Sequence, residues 1–422
     1  MIHFEGISHG RSEDSGIKKY QTVNKQKFFD KWKEVLAVHG VCNPESLPAD
    51  RSVKGRVLII DALTPTPDKD SGSMDAYNYM KIMKKLGFHV TYVPENLIFF
   101  DEFTRDLQRM GIECAYLPFV HSPKEAFIHY APTADFVMLC RVYVAVPLID
   151  LARQQAPRAH IIFDTVDLHF LREERRAELE DSSALFDRAA NLREQELDVI
   201  RKVDVTILRS RYEVEFLKQI VPNAHLYHVP IVRDIPGPSA MPWEDRRDIV
   251  FIGSFTHPPN EDAVKYFINE VWPVLRAGGF SERFLVVGGN VPDDIASLAS
   301  DDVIFLGFVK DLLDVFGKCR LSVAPLRYGA GMKGKVITSL SYGVPCVATT
   351  IAAEGSGLTH HENILVADNA REMAGMIQTL CTNKQLWDKL SQSGLLYCEK
   401  NFSLKEAEKI FRKVFSELLT VE

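Results

Sequence analysis

The sequence predicts an α/β protein with two doubly wound, Rossmann-like domains that face each other across a cleft. Short apolar runs typical of buried parallel strands alternate with longer segments typical of helices. This alternation forms two separate series along the chain. Between them lies a stretch rich in proline and glycine at residues 230–242, whose composition is that of a linker.

The composition indicates a globular protein of two or three domains. The chain has 422 residues, of which 46% are hydrophobic and 25% charged, so a sizeable core is available. The net charge of −7 gives no positive field that would gather nucleic acid, and we predict no nucleic-acid partner. The seven cysteines are scattered without a Cys-x-x-Cys pair, which argues against a disulfide framework or a zinc ribbon. No apolar run approaches the roughly 20 residues that span a bilayer, so we expect a cytoplasmic protein.

The first series of elements covers residues 54–235, which we predict as the N-terminal domain. Its first buried strand is a compact apolar run at residues 57–61 that ends in an acidic residue. The strands are predicted at residues 58–60, 89–93, 114–117, 136–140, 160–163 and 205–208. The helices are predicted at residues 74–86, 97–110, 146–155 and 185–202.

The second series covers residues 243–422, which we predict as the C-terminal domain, with the last helix included. The strands are predicted at residues 249–252, 284–287, 303–305, 321–324, 346–349 and 364–366. The helices are predicted near residues 261–275, 312–317, 335–342, 370–380 and 384–400, with a final helix from residue 403. In such a pair of domains, ligands bind where the carboxyl ends of both sheets face each other.

The most informative stretch is the glycine-rich segment 325–336, which connects a predicted strand to a predicted helix. Its backbone amides, the start of the helix and the ammonium groups of Lys333 and Lys335 predict an anion-binding pocket, with phosphate as the expected ligand. A tight turn with solvated lysines remains the alternative.

The same segment contains two known phosphate-binding patterns. The P-loop pattern fails because Val336 stands where a serine or threonine must bind magnesium. A G-x-G-x-x-G pattern is formed by Gly329, Gly331 and Gly334, and Glu354 follows at the distance expected of a dinucleotide site. That pattern belongs after the first strand of a sheet, whereas here it follows the fourth, so an NAD-dependent oxidoreductase is a weaker alternative.

Two loops of the N-terminal domain also carry candidate site residues. The loop at residues 61–73 contains an Asp-x-Asp pattern at Asp68 and Asp70, which we interpret as solvated or helix-capping carboxylates, so no metal is assigned. At the end of a later strand, Asp164, Asp167 and His169 are predicted at the edge of the cleft.

Segments throughout the second half resemble the family 4 glycosyltransferases. The resemblance covers essentially residues 54–422 and is marked in segments 248–255, 303–309, 322–326, 329–336, 341–349 and 353–355. The order and spacing of these segments make it more specific than any single loop. It implies the two-domain GT-B fold and transfer of a sugar from a nucleotide donor with retention of anomeric configuration.

The resemblance also implies roles in the donor half of the cleft. Gly253, Ser254 and His257 would line the donor phosphates, and Phe308 and Val309 would flank the base. Lys333 or Lys335 would neutralise the pyrophosphate leaving group, and lysines at a helix start can do this without a metal or another cofactor. The remaining donor-side candidates are Gly329, Gly331, Thr338 and Glu354.

In the acceptor half, the loop that contains Gly72 and Ser73 would approach the acceptor, with Asp167 beside it. His169 falls where the family often has a histidine that faces the transferred sugar, so it joins Lys333 and Lys335 as a catalytic candidate. One position departs from the family: Thr338 replaces the usual glutamate that grips the donor ribose. A hydroxyl makes fewer hydrogen bonds than a carboxylate, which favours weaker donor binding or a non-catalytic protein.

Residues 1–50 resemble the tail of a family 2 glycosyltransferase domain, with His3 near the position of a metal ligand in that family. The chain is therefore expected to be the carboxyl portion of a longer two-transferase polypeptide or a truncated reading frame. A simple amphipathic leader helix is the alternative.

We therefore expect a bacterial-type glycosyltransferase that extends a surface glycan such as an O-antigen or a capsule. Its expected partners are a nucleotide sugar and a glycan or lipid-linked glycan acceptor, at the inner face of the membrane or in the cytoplasm. The alternative is a protein without catalytic activity, namely a GT-B module that supports a partner transferase. The acceptor class rests on family analogy alone.

Overall fold

The computed structural model describes residues 19–37 and 53–420. The chain divides into two units, Met1–Val53 and Lys54–Glu422. In the first unit the described residues form one helix, α1 (Lys19–Ala37), in which no residue is buried. His3 and its neighbours, on which much of the family 2 resemblance depends, lie outside the described residues.

The N-terminal sheet has seven parallel strands in the order β3-β2-β1-β4-β5-β6-β7. Its central strands are buried along almost their whole length because helices cover both faces of the sheet. The strands are β1 (Arg56–Asp61), β2 (His89–Pro94), β3 (Glu113–Cys114), β4 (Phe136–Cys140), β5 (His160–Asp164), β6 (Val205–Leu208) and β7 (Leu226–His228). The helices are α2 (Ser71–Leu86), α3 (Asp101–Arg109), α4 (Pro123–Tyr130), α5 (Val142–Ala145), α6 (Ile149–Gln155), α7 (His169–Glu180), α8 (Ser183–Lys202) and α9 (Arg211–Ile220).

The C-terminal sheet has six parallel strands in the order β10-β9-β8-β11-β12-β13. The strands are β8 (Arg247–Ile252), β9 (Phe284–Val287), β10 (Val303–Gly307), β11 (Cys319–Ala324), β12 (Cys346–Ala348) and β13 (Leu365–Val366). The helices are α10 (Pro258–Tyr266), α11 (Trp272–Ala277), α12 (Asp293–Ala296), α13 (Leu313–Phe316), α14 (Gly334–Ser341), α15 (Thr350–Ala353), α16 (Ala370–Thr382), α17 (Lys384–Phe402) and α18 (Leu404–Thr420). A π-helical turn, Phe267–Val271, joins α10 to α11.

The predicted fold class, two doubly wound α/β domains, is confirmed by these two parallel sheets. The sequence missed β7 because this edge strand has three residues and no apolar run. It also missed α4, α7 and α9, which are short or rich in charged residues. In α4 and α7 few side chains are buried, so these helices carry little of the apolar pattern from which a helix is predicted.

The last helix, α18, was predicted as part of the C-terminal domain, and the structure corrects this. Its apolar face packs in the core of the N-terminal domain, where the Phe411 ring lies 4.7 Å from the Tyr79 ring. Phe415 contacts Phe88 and Phe136 at similar distances. The sequence shows that α18 has an apolar face, but the pattern does not show which domain buries that face.

The chain crosses between the two sheets at two neighbouring places. The predicted linker leaves β7 and reaches β8, and the turn from α17 to α18 crosses back. The two crossings touch where the Arg233 amide donates a hydrogen bond of 2.8 Å to the Phe402 carbonyl. Among the described residues, no helix is both long and apolar enough to cross a membrane.

Candidate functional site

A cleft of about 590 Å³ lies between the carboxyl ends of the two sheets. The loops after β1, β4, β5 and β6 form one wall, and the loops after β8, β9, β10 and β11 form the other. In doubly wound proteins the strand ends leave a crevice for ligands at this edge, so the cleft is the candidate site. The loop between β1 and α2 contributes many of the residues of the first wall.

Most residues that the sequence predicted for the site line this cleft. Asp164, His169 and Glu354 are the exceptions among them. Their assigned roles stay predictions, because position alone does not establish a role. The lining residues are Gly72, Ser73, Asp167, Gly253, Ser254, His257, Phe308, Val309, Gly329, Gly331, Lys333, Lys335 and Thr338.

Lys333 and Lys335 bring two neighbouring positive charges to the C-terminal wall. The Lys333 ammonium donates to the Gly331 carbonyl at 2.9 Å, and the Lys335 ammonium lies 4.6 Å from the centre of the Phe251 ring. Neither lysine forms an ion pair within the described residues. Burial lowers the pKa of Lys333 to about 8, against the attraction of Glu354 and Glu213. Burial and the charge of Lys333 lower the pKa of Lys335 to about 7, so the pair favours an added anion.

Asn260 orients Lys335 and the loop after β8. Its side-chain oxygen accepts a hydrogen bond from the Lys335 ammonium, and its side-chain nitrogen donates to the Ser254 carbonyl at 2.7 Å. A side chain at Gly253 would place a Cβ 2.8 Å from the Asn260 amide carbon. Gly253 therefore keeps the space that Asn260 occupies.

The glycine-rich loop after β11 also joins the two domains. The Gly331 amide donates to the Glu213 carboxylate at 2.7 Å, and Arg175 donates to the Gly329 carbonyl at 2.7 Å. Arg175 also forms two hydrogen bonds of 2.8 Å to Glu354. The predicted donor-side residue Glu354 thus pairs with the opposite domain instead of lining the cleft. The Gly331 amide, which the sequence predicted to face a bound anion, donates its hydrogen bond to the Glu213 carboxylate instead.

Two glycines of this loop let the domains approach closely. A Cβ at Gly331 would lie 2.7 Å from the Cβ of Asp167. A Cβ at Gly334 would lie 2.5 Å from the Arg233 guanidinium and would also collide with the Ser71 hydroxyl. Any larger residue at these positions would force the domains apart or displace the loop.

His169 is buried at the start of α7, next to the cleft but outside its lining. Its Nδ1 lies 3.1 Å from the Asp167 carbonyl, and its ring packs against Tyr143. Glu196 accepts hydrogen bonds from the His169 and Phe170 amides, so a carboxylate occupies the start of this helix. Burial lowers the pKa of His169 while Asp167 opposes the shift, which favours a neutral imidazole at neutral pH.

Asp70 caps α2, which confirms the helix-capping interpretation of one Asp-x-Asp carboxylate. It accepts a hydrogen bond of 2.8 Å from the Ser73 amide and one of 2.6 Å from the Ser73 hydroxyl. The cap fixes the loop that brings Gly72 and Ser73 to the cleft. Among the described residues, no group of three or more His, Cys, Asp and Glu side chains is arranged to hold a metal ion.

Sequence reasoning missed Arg141 and Arg172, which also line the cleft. Arg172 forms an ion pair with Asp167, and this charge lowers the pKa of Asp167 although burial opposes it. Arg141 directly follows the apolar run of β4, so the rule that ligands bind at strand carboxyl ends could have found it. Arg172 lies in α7, a helix that the sequence did not predict.

The C-terminal wall of this cleft has a recognised sequence pattern. Residues 246–383 match the family model of the glycosyl transferases of group 1. The match includes the two lysines, Thr338 and the loops after β8 and β10. A curated relative, described as an uncharacterized 44.6 kDa protein in the cps region of Klebsiella pneumoniae, is 22% identical over 181 residues. That alignment covers 40% of this chain and 45% of the relative, so the chain spans less than half the relative's length.

Solved structures of glycosyltransferases share the fold. Sucrose-phosphate synthase from Thermosynechococcus elongatus has a TM-score of 0.67 and 15% identity, over 87% of this chain and 100% of that one. Anabaena HepE in complex with UDP and glucose has a TM-score of 0.65 and 14% identity, over 86% and 100%. S. aureus TarM, in a complex that includes UDP, has a TM-score of 0.67 and 10% identity, over 86% and 99%. The fold is therefore GT-B, and fold and family match together support a glycosyltransferase.

We predict that Gly334→Ala opens the interface between the two domains. The added methyl group collides with Ser71 and Arg233, which should lower the free energy of unfolding by about 1 to 3 kcal/mol. Small-angle scattering should show a larger radius of gyration than that of the parent. Gly375→Ala is the matched control, because a Cβ at this helical glycine meets nothing within 4 Å. Equal radii for both variants would contradict the predicted contact.

Proposed function

We propose that this protein is a family 4-like glycosyltransferase that moves a sugar from a nucleoside diphosphate donor to a glycan acceptor, with retention of configuration. The main support is the pair of neighbouring ammonium groups, Lys333 and Lys335, whose pKa values are lowered on the C-terminal wall of the cleft. As the bond to the sugar breaks, negative charge grows on the departing diphosphate. The two lysines would balance this charge in place of a metal ion, so no cofactor is proposed.

The donor side of the proposal is supported by the relatives. HepE has been solved in complex with UDP-glucose, which makes a UDP-sugar the first donor to test. On this chain, Phe308 and Val309 line the donor wall of the cleft and are proposed to flank the base. The Klebsiella relative comes from a cps region, which supports a surface polysaccharide such as a capsule or an O-antigen as the product.

A lipid-linked acceptor is supported by an apolar rim beside the acceptor half of the cleft. Leu63 lines the cleft, and its neighbour Thr64 donates a hydrogen bond to the Ile98 carbonyl. Next to Ile98, the ring of Phe99 lies about 5 Å from that of Tyr116, which lies about 5 Å from that of Phe119. Phe119 is 71% exposed. The apolar rim consists of Leu63, Ile98, Phe99, Phe100, Leu117 and Phe119, all of them exposed. Exposed aromatic groups of this kind insert at membrane interfaces, so we propose peripheral association with the membrane that carries the acceptor.

Helix α1 is a second, separate candidate for membrane contact. It contains five lysines and two acidic residues, and Phe28, Phe29 and Trp32 are exposed. A basic helix with exposed aromatic side chains is typical of segments that lie on anionic membranes.

We predict that Lys335→Ala and Lys333→Ala weaken UDP binding, at least one of them by about 10- to 100-fold, because a hydrogen bond to a charged group contributes about 1.5 to 3 kcal/mol. Calorimetry with UDP would measure this. Lys389→Ala, an exposed lysine on α17, is the matched control and should bind like the parent. Parent-like binding by both cleft variants would contradict the diphosphate site.

The lysine pKa values also predict how binding depends on pH. Bound diphosphate favours the ammonium form, whereas the free site holds Lys335 at a pKa of about 7 and Lys333 at about 8. Diphosphate binding is therefore strongest at pH values below these two pKa values. It weakens as the pH rises above them, because the lysines must then take up protons when the diphosphate binds. Calorimetry at about pH 8 in buffers of different ionisation enthalpy should detect this uptake, and Lys335→Ala should reduce it.

A non-catalytic module that supports a partner transferase is the second candidate, and Thr338 favours it. Thr338 lines the cleft one helical turn from Lys335, where the family usually has a glutamate. We predict that Thr338→Glu tightens donor binding, because a carboxylate can accept from both ribose hydroxyls. Thr338→Gln is the uncharged control. If parent and Glu variant both fail to bind every nucleotide sugar tested, the second candidate becomes the better one.

We predict that Phe119→Ser reduces flotation with vesicles that contain anionic phospholipid, because the substitution removes an exposed ring from the apolar rim. Phe186→Ser, at another exposed phenylalanine, is the matched control and should float like the parent. Parent-like flotation of Phe119→Ser, together with loss of flotation in Trp32→Ser, would assign membrane contact to α1 instead.

A further inference from the structure

Arg141 has a backbone conformation that residues with side chains rarely adopt. Its φ is 73° and its ψ is 144°, directly after β4 at the edge of the cleft. Val166, which follows β5 on the same wall, also has a positive φ, of 63°. Such strain is energetically unfavourable and is concentrated at functional sites. A glycine would relieve the strain at position 141, but the chain has an arginine there.

The protein holds Arg141 firmly at both ends. Its amide donates to the Asp164 carbonyl at 2.8 Å, and its carbonyl accepts from the amides of Val144 and Ala145. At the other end, Nε donates to Asp61 at 2.8 Å, and the same Asp61 oxygen accepts from the Ala62 amide. The guanidinium is therefore fixed by its Nε edge, and the rest of the group is oriented by that contact.

The terminal nitrogens of Arg141 are left available to a ligand. Within the described residues, the hydrogen bonds of its side chain are confined to Nε, and the side chain is 23% exposed on the wall of the cleft. Although burial opposes it, Asp61 raises the pKa of Arg141, so the group stays charged. A guanidinium held by Nε keeps four N–H donors in a planar fork, a shape that matches carboxylate and phosphate groups.

The space in front of this fork is kept open by the acceptor-side loop. A Cβ at Gly72 would lie 3.2 Å from a terminal nitrogen of Arg141. Tyr143 lines the cleft two residues further on and is 47% exposed. The lysines proposed to balance the donor diphosphate belong to the opposite wall, on the loop after β11. The charge of Arg141 therefore lies on the wall opposite the two lysines, which is the wall on which the acceptor is proposed to bind.

We propose that Arg141 and Tyr143 form an anion subsite that binds a carboxylate or phosphate group of the acceptor. The subsite selects acidic acceptors, such as a uronic acid or a sugar phosphate, over neutral ones. The assignment of this subsite to the acceptor rests on the proposed function. The preference of the subsite for an anionic group does not. Arg141 is then a specificity residue, since it binds a group of the substrate away from the bond that forms.

The test compares three probes, glucose, glucuronic acid and glucose 6-phosphate, by ligand-detected NMR on the full chain with saturating UDP. The parent should bind at least one acidic probe about 10-fold or more tightly than glucose, as expected for charge-assisted hydrogen bonds. Arg141→Gln should lose this preference, and Arg141→Lys should keep only part of it because lysine lacks the fork. The two acidic probes distinguish a carboxylate from a phosphate. Arg153→Gln, which removes a surface arginine paired with Asp204, is the matched control.

Tyr143→Phe keeps the test decisive if the Arg141 variants fail to fold. This change removes one exposed hydroxyl and should reduce the preference for the acidic probe by about 2- to 10-fold. Equal binding of glucose and both acidic probes by the parent would overturn the proposal, as would an unchanged preference in folded Arg141→Gln. Weaker binding of UDP itself in Arg141→Gln would assign Arg141 to the donor and also overturn it. If the parent binds no nucleotide, the proposed function fails, whereas an Arg141-dependent preference measured without UDP would still support the subsite.

Discussion

The two domains meet on the glycine-rich loop after β11, and the geometry of the cleft depends on that contact. The Gly331 amide reaches Glu213, and the Gly329 carbonyl reaches Arg175, both from the opposite domain. The same loop carries Lys333 at its end, with Lys335 two residues further on in α14. One short segment therefore sets the distance between the walls and supplies the positive charges on one of them. Glycine is required because a Cβ at residue 331 or 334 would collide with the facing domain.

The floor of the cleft is fixed by a buried charge network that includes the linker. Asp75 in α2 accepts hydrogen bonds from Arg209, from the Val232 amide and from Arg233. Arg209 also donates to Asp164 at the end of β5. Truncating one member of such a network would leave an uncompensated buried charge, so the members depend on each other. The first part of the proline-rich linker is therefore held to the N-terminal domain.

The two walls of the cleft offer positive charge in different forms. On the C-terminal wall, two neighbouring ammonium groups with lowered pKa values form a compact site that gains stability when an anion binds. On the N-terminal wall, Arg141 presents a planar fork whose charge is maintained by Asp61. A diphosphate suits the first arrangement, and a carboxylate or phosphate suits the second. Two separate anionic groups of a donor and an acceptor fit this distribution of charge.

Local sequence patterns predicted most strands of the two sheets and several of the residues that line the cleft. Buried parallel strands are continuous apolar runs, and ligand-binding loops follow their carboxyl ends, so both can be located from local patterns. The side chains that hold the site together could not be located this way. Glu213, Arg175 and Asn260 act through partners that are distant in the sequence, and α18 buries its apolar face in the domain that begins the chain. These pairings form only when the chain folds, because local sequence specifies a side chain's polarity but not the partner that folding brings to it.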